Sequence, residues 1–283
     1  MADIIKLQTS LFTGFEETID PNDVKDEGVV IHPQALVEKG AELGRGVHIG
    51  PRAMVGSHVK LGDDVRIGAG ATITGRATIG QDTIVFPFAT IGSVPQDLKF
   101  KGEDTEVIIG EGNRIREYVN ISLGTVGGGG KTQIGDHNLV MVYTHIGHDC
   151  IVNNHCIFAN GVQLAGHVEV GNGVVFGGLS AAHQFTQYGD MAMIAAGAMV
   201  SQDVPPFCMV HGDRAKVNGL NVVGLRRAKL KNLSDIKAMY RLVYGENITL
   251  TSAVERIEAE VPASAARDLF VSFLRQSQRG IVR

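Results

Sequence analysis

The sequence predicts a left-handed parallel β-helix of hexapeptide repeats followed by a C-terminal helical domain. Three observations carry the prediction: an aliphatic residue recurs every six positions, glycine tends to follow it, and beyond Pro205-Pro206 a helical period replaces the period of six. Stepping by six from Ile31 gives Ile31, Val37, Leu43, Ile49, Val55, Leu61, Ile67, Ile73, Ile79, Val85 and Ile91, all aliphatic. Glycine comes next at 44, 50, 56, 62, 68, 80 and 92, and the register returns at Ile109, Ile115 and Ile121. A second block, shifted in phase, starts at Ile134 and runs through Val140, Ile146, Val152, Phe158, Leu164, Val170, Phe176, Ala182, Tyr188, Ile194 and Val200.

A period of six matches neither a helix nor a long alternating strand. It suits a solenoid in which three hexapeptides close one triangular coil of about eighteen residues, with the aliphatic residue stacked inside. The following glycine is expected at the tight corner, where a side chain or a negative φ would be costly.

The elements follow in order. Residues 1–28 are off register and are expected to be an N-terminal extension, either a tail or an added strand. Residues 29–210 form the β-helix. Two segments leave its period, Ser93 to Val107 and Gly124 to Thr132, and loops that leave a rigid scaffold often carry function. The second holds the run Gly127 to Gly130; it lacks the lysine and hydroxyl of a Walker phosphate cradle, so a plain flexible loop is expected. Residues 211–283 form the helical domain. Ser234 is expected to cap a helix with Ile236, Met239, Tyr240 and Val243 on one face. Ser252 and Glu255 read as a capping box before Ile257, and a third helix carries Leu269, Phe270, Phe273 and Leu274.

Composition narrows the function. The chain has 283 residues, 44% of them hydrophobic, enough for a full core. A formal net charge of -4 argues against a general nucleic-acid binder. Cys150, Cys156 and Cys208 make no disulfide framework. Met1 to Asp20 shows no basic stretch followed by an apolar one, and no apolar run reaches the length of a membrane span. A reduced, cytoplasmic setting is expected.

The chemistry-bearing residues cluster in the second block. His145 and His148 lie in Thr144-His145-Ile146-Gly147-His148-Asp149-Cys150, His167 follows Gly166, and His183 precedes Gln184 and Phe185. With a coil of eighteen residues, His148 falls beside Gly166, Gly166 beside Gln184, and Asp149 beside His167. An imidazole with a pKa near 6.5 can take a proton from a hydroxyl attacking a thioester. The N–H of Gly166, clear of any side chain, can stabilise the oxyanion that forms. Three other readings stand beside acyl transfer: interstrand hydrogen-bonding histidines, a zinc site like the intersubunit His₃ centre of gamma carbonic anhydrases, and a scaffold without catalysis. No metal-ligand spacing appears in the sequence, so no metal is expected.

Several separated motifs then point one way. Gln96-Asp97-Leu98-Lys99, Asn113-Arg114-Ile115-Arg116-Glu117, His145 to Cys150, His183-Gln184-Phe185, Gln202-Asp203-Val204-Pro205-Pro206, Gly219-Leu220-Asn221 and Arg279 to Arg283 occur in this order. With them the chain, over about residues 29 to 283, resembles the acyl-ACP:UDP-N-acetylglucosamine O-acyltransferases of lipid A synthesis. The resemblance implies His148 as general base oriented by Asp149, and Gly166 as oxyanion donor. It implies sugar-nucleotide contacts from Asp97, Lys99, His145, His183 and Gln184, and an acyl groove lined by Leu98 and His167. Asn221 and Arg227 would hold the uridine diphosphate, and Ala196 matches a chain-length ruler. It further implies acyl carrier protein and UDP-N-acetylglucosamine as partners, no cofactor beyond the carrier's phosphopantetheine, and a homotrimer. A 3-amino sugar nucleotide is the alternative acceptor. The basic stretch Arg226, Arg227, Lys229 and Lys231 is a candidate dock for the acidic carrier. The chain departs from the family at Ser122-Leu123-Gly124-Thr125, where His-Arg-Gly-Thr is common. It departs again at Val223 and Ala228, where a glutamate and an arginine occur.

Overall fold

The computed structural model describes residues 28–246 and 248–283. The expectation for the N-terminal extension falls on residues 1–27, outside the described residues.

Short parallel strands, mostly of two residues, stack into three flat sheets. The first face has eleven strands, from Val30–Ile31 to Lys216–Leu220; the second has nine, from Leu36–Val37 to Met199–Val200; the third has eight, from Glu42–Leu43 to Gln187–Tyr188. Successive strands along the chain lie on successive faces, and every third one pairs in register, as Ile31 does with Ile49 and Ile49 with Ile67. This is the parallel β-helix that the period predicts.

Two columns fill its interior. The recurring aliphatic residues form one, with Ile73, Ile91, Ile121 and Ile146 all fully buried. Small residues two positions earlier form the other: Val47, Ala53, Val59, Val65, Ala71 and Ala77 are at most 1% exposed. Farther along, Phe158 stacks on Phe176 at 5.2 Å, and Tyr188 follows at 4.8 Å. Each fully buried aliphatic side chain contributes about 1.5–3 kcal/mol, which is how strands of two residues hold together.

The interruptions explain the phase shift. Ile79 pairs with Ile109, a step of 30, and Ile109 pairs with Ile134, a step of 25. Against a coil of about eighteen, the first loop adds two whole hexapeptides and preserves the phase. The second adds seven residues and displaces it by one.

The glycine expectation divides. The glycines that follow the inward residue at 44, 56, 62, 68 and 80 are not in the left-handed region. At 44, 62, 68 and 80 close approach requires glycine: a Cβ on Gly62 would lie 2.7 Å from the backbone nitrogen of Gln81, and one on Gly68 2.6 Å from that of Pro87, whereas one on Gly56 would make ordinary contact at 3.5 Å. In most of these turns the left-handed residue comes two positions later, and it is Gly70 but also Arg52, Asp64 and Asp82. Of the glycines after the inward residue, Gly92 takes the left-handed conformation at φ 78°, so a positive φ is what glycine supplies there and not at the others.

Beyond the coil, Cys208–His211 adds a parallel strand to the first face and Lys216–Leu220 returns antiparallel to it. Four helices follow: α1 (Val222–Arg227), α2 (Leu233–Tyr244), α3 (Leu250–Glu260) and α4 (Ala265–Gln276). Their apolar faces bury Met239, Ile257 and Phe270. The caps differ from expectation. Ser234 lies inside α2, whose N-terminal boundary is Asn232 in a left-handed conformation. Thr249, not Ser252, caps α3; its hydroxyl accepts the Ser252 N–H at 3.1 Å, which leaves Glu255 within the helix. Three hydroxyl residues in four positions compete there, and packing of Leu250 against the core selects the earliest. None of the described helices is long and apolar enough to cross a membrane.

Candidate active site

The corner between the second and third faces carries a column of left-handed residues: Asp149, His167 and Phe185, with φ of 60°, 62° and 63°. Side chains in this conformation point outward along the edge, and aspartate tolerates it better than most. The His167 ring stacks on Phe185 at 4.3 Å and meets the edge of His148 at 5.1 Å.

Asp149 is buried, its carboxylate fully so. Oδ1 accepts the backbone N–H of Thr125 at 2.7 Å; Oδ2 accepts the Thr125 hydroxyl at 2.6 Å and faces His148 Nδ1 at 2.7 Å. The backbone N–H of Asp149 donates to the Thr132 hydroxyl. The glycine run, expected as a plain loop, contributes to this enclosure. Val126–Gly128 forms a 3₁₀ turn whose Gly128 N–H bonds the Thr125 carbonyl, and a Cβ on Gly128 would collide with the Asp149 carboxylate. A buried carboxylate held by three partners fixes the imidazole through Nδ1 and leaves Nε2 available for chemistry.

Coil arithmetic places His148 against Gly166, and the structure brings them together: a Cβ at Gly166 would sit 2.5 Å from the His148 ring. The Gly166 N–H donates to no group among the described residues, while its neighbours Ala165 and His167 donate to Ala182 and His148. A free N–H thus lies beside the imidazole. His145, on the strand before this corner, meets Asn120 at 2.9 Å, and Asn120 donates to Ser93. Burial, and then the neighbouring His148, hold its pKa below the ordinary value. Burial also lowers His167, against the pull of Asp149; the charges of Asp97 and Lys99 reach it as well, which puts the Gln96–Lys99 loop beside this corner. In that loop Asp97 accepts the Lys99 N–H, and Leu98 is fully exposed. His183 and Gln184 are exposed together on the coil two above His148.

Three predicted residues lie elsewhere on the chain. Ala196 sits exposed at the other edge of the second face, packed over Gly177. Asn221 caps α1, accepting the Gly224 N–H and donating to the Met191 carbonyl at the corner between the third and first faces. Arg227 is exposed at the end of α1. Thr125, Thr132, Gly128, Asn120 and Phe185 were missed as site residues. Column arithmetic could have found Phe185, eighteen positions beyond His167, but not partners held by the displaced loop.

His148, Asp149 and His167 present ligand atoms within 4.8 Å of one another, the one such cluster among the described residues. A cation there would compete for carboxylate oxygens that Thr125 and His148 already occupy.

Comparison with known proteins agrees with this architecture. Residues 40–75 and 131–166 match the bacterial transferase hexapeptide family, and residues 203–282 match the second domain of UDP-N-acetylglucosamine O-acyltransferase. An acyl-[acyl-carrier-protein]–UDP-N-acetylglucosamine O-acyltransferase of Aliarcobacter butzleri is 48% identical over 254 residues, 89% of this chain and 97% of the relative. One from Anaeromyxobacter sp. (strain Fw109-5) is 48% identical over 257 residues, 90% of this chain and 100% of the relative. Among solved structures, a UDP-N-acetylglucosamine acyltransferase from Bacteroides fragilis superposes with a TM-score of 0.87 at 37% identity, covering 90% of this chain and 100% of that one. One from Campylobacter jejuni gives 0.85 at 38%, covering 89% and 99%. With relatives of this identity matched over nearly their whole length, the chain belongs to the UDP-N-acetylglucosamine O-acyltransferase family of hexapeptide-repeat acyltransferases.

Proposed function

We propose that the chain transfers an acyl group from acyl carrier protein to the 3-hydroxyl of UDP-N-acetylglucosamine, the first step of lipid A biosynthesis, in the cytoplasm. The observation that carries this is the His148–Asp149 pair set over the free N–H of Gly166. His148 Nε2 takes the proton of the sugar hydroxyl as its oxygen attacks the thioester carbon. The Gly166 N–H stabilises the oxyanion, and collapse of the intermediate expels the carrier thiolate, which recovers the proton from His148. Asp149 stabilises the imidazolium between these steps. Asp97, Lys99, His145, His183 and Gln184 position the sugar nucleotide, and Leu98 and His167 line the acyl path.

The working unit is a homotrimer. Phe88, Tyr118 and Tyr143 stack at 5.3 Å and 5.0 Å along the edge between the first and second faces, each about half exposed. Such an aromatic ladder suits burial against a second copy. Ala196, Asn221 and Arg227 lie on other edges than His148, so a neighbouring subunit supplies them to each cleft, Ala196 as the chain-length ruler. The basic residues Arg226, Arg227, Lys229 and Lys231 attract the acidic carrier.

Purified protein assayed with UDP-N-acetylglucosamine and acyl carrier proteins loaded with chains of graded length is expected to form the 3-O-acyl product. The 3-amino analogue assayed alongside tests the alternative acceptor; product from neither would sink the reading. The His148–Asp149–His167 cluster keeps a metalloenzyme as the second reading. Stoichiometric zinc on elemental analysis, with activity lost on chelation and restored by zinc, would favour it.

A further inference from the structure

The last residues of the chain return to the catalytic corner. Beyond α4, Ser277 donates to the Asp203 carboxylate at 2.7 Å, the Asp203 N–H bonds the Gly280 carbonyl, and the Val282 N–H bonds the Asp203 carbonyl. Asp203 is itself buried and also accepts the Gln187 N–H. Ile281 thereby pairs with Asp203 as one more rung on the third face. The residues before it fall at the corner above Ser201 and Gln202: a Cβ on Gly280 would lie 3.6 Å from the Gln202 side-chain nitrogen, and Arg279 Nε donates to the Ser201 carbonyl at 3.2 Å.

This puts Arg279 on the line of His148. The corner column runs His148, Gly166, Gln184, Gln202, one residue per coil, following the pairing of Ile146 with Leu164, Leu164 with Ala182, and Ala182 with Val200. Arg279 is exposed and has no carboxylate partner among the described residues, while its backbone is tied at both sides. A guanidinium held rigidly by its backbone and without a counter-ion is suited to a phosphate group.

We propose that Arg279 anchors the phosphate of the carrier's phosphopantetheine arm, so that the arm runs along the corner past Gln202 and Gln184 to deliver the thioester to His148. The inference rests on the function proposed above. Its second support is length. Three coils at about 4.8 Å each separate Gln202 from His148 by about 14 Å. About thirteen bonds link phosphorus to sulfur in the arm, an extended reach of roughly 15 Å at the advance per bond of a stretched chain. The sugar nucleotide also carries phosphates, but about seven bonds separate its farther phosphorus from the 3-hydroxyl, roughly 8 Å on the same measure, which is too short.

The test compares wild type with Arg279→Gln, which keeps a donor for the Ser201 carbonyl and removes the charge, and with Arg279→Lys, which keeps the charge. For Arg279→Gln, KM for acyl carrier protein substrate is expected to rise about tenfold, with kcat and KM for UDP-N-acetylglucosamine within about twofold and unchanged melting; Arg279→Lys should recover part of the loss. A short acyl-pantetheine donor, which lacks the phosphate, should serve all three equally. A rise confined to KM for the sugar nucleotide would overturn the assignment in favour of its diphosphate. A fall in kcat and melting temperature with both KM values unchanged in both variants would reduce Arg279 to a structural tie. An inactive wild type would instead refute the proposed function.

Discussion

His148 has two neighbours that decide what its imidazole can do. Asp149 fixes Nδ1 and leaves Nε2 free, while Gly166 gives the ring room and an unspent N–H. Replacing His148 by Ala is expected to lower kcat by about 10² or more with the trimer intact, checked by steady-state kinetics and sedimentation. Gly166→Ala should lower kcat more than it alters KM, since the methyl would displace the ring. His145 adds a pH effect. Its folded pKa lies below its ordinary value because burial disfavours the cation. The unfolded chain therefore binds the extra proton first, and stability falls as pH drops from about 6.5 toward the folded value. Melting curves between pH 5 and 7.5 should flatten in a His145→Gln variant; an unchanged slope would assign that dependence to other groups. The cluster of histidines was visible in the sequence, and so was the His148–Gly166 adjacency. The burial that lowers the pKa of His145 and of His167 was not, because it depends on where the fold packs distant segments.

At the scale of the turn, each hexapeptide assigns its glycines to two different tasks. Gly68 is needed because the Pro87 backbone passes within contact of where its Cβ would stand, whereas Arg52 occupies the left-handed place that a glycine could fill. Gly68→Ala is expected to destabilise by about 1–3 kcal/mol through overpacking against rigid backbone. Arg52→Gly should change stability by less than about 1 kcal/mol, since relief of the left-handed strain offsets the added freedom of the unfolded chain. Chemical denaturation of both variants checks the pair, and equal losses would mean that close approach is not what selects glycine after the inward residue. The period reads out the inward column, but not this distinction, since a glycine looks alike in either role. The same ambiguity moved the α3 cap from Ser252 to Thr249.

The whole molecule presents its site residues on different edges of one prism, and that is the argument for assembly. Tyr118→Glu is expected to charge the stacked ladder, convert trimer to monomer by light scattering, and abolish activity although Tyr118 stands on a different edge of the prism from His148, one coil below it. A fully active monomer would refute the shared cleft. Ala196→Met should shift preference toward shorter acyl donors, because each methylene excluded from an apolar groove forfeits about 0.8 kcal/mol. A uniform loss across all chain lengths would mean general damage instead.

By itself the sequence determined the coil and its inward column, because a chain with an aliphatic residue at every sixth position can bury its apolar side in few other ways. It also determined that His148 lies beside Gly166, since stacking at a constant step is arithmetic. Only the tertiary structure decided what the interruptions do. The seven extra residues of the second loop obey no period, yet they carry Thr125 and Gly128 onto Asp149 and enclose its carboxylate. The chain end likewise has no repeat to follow, and its return to Asp203 above the His148 column arises from hydrogen bonds across 74 residues of sequence. Local periodicity propagates along a solenoid, whereas contacts made by segments that leave it depend on where the fold brings them back.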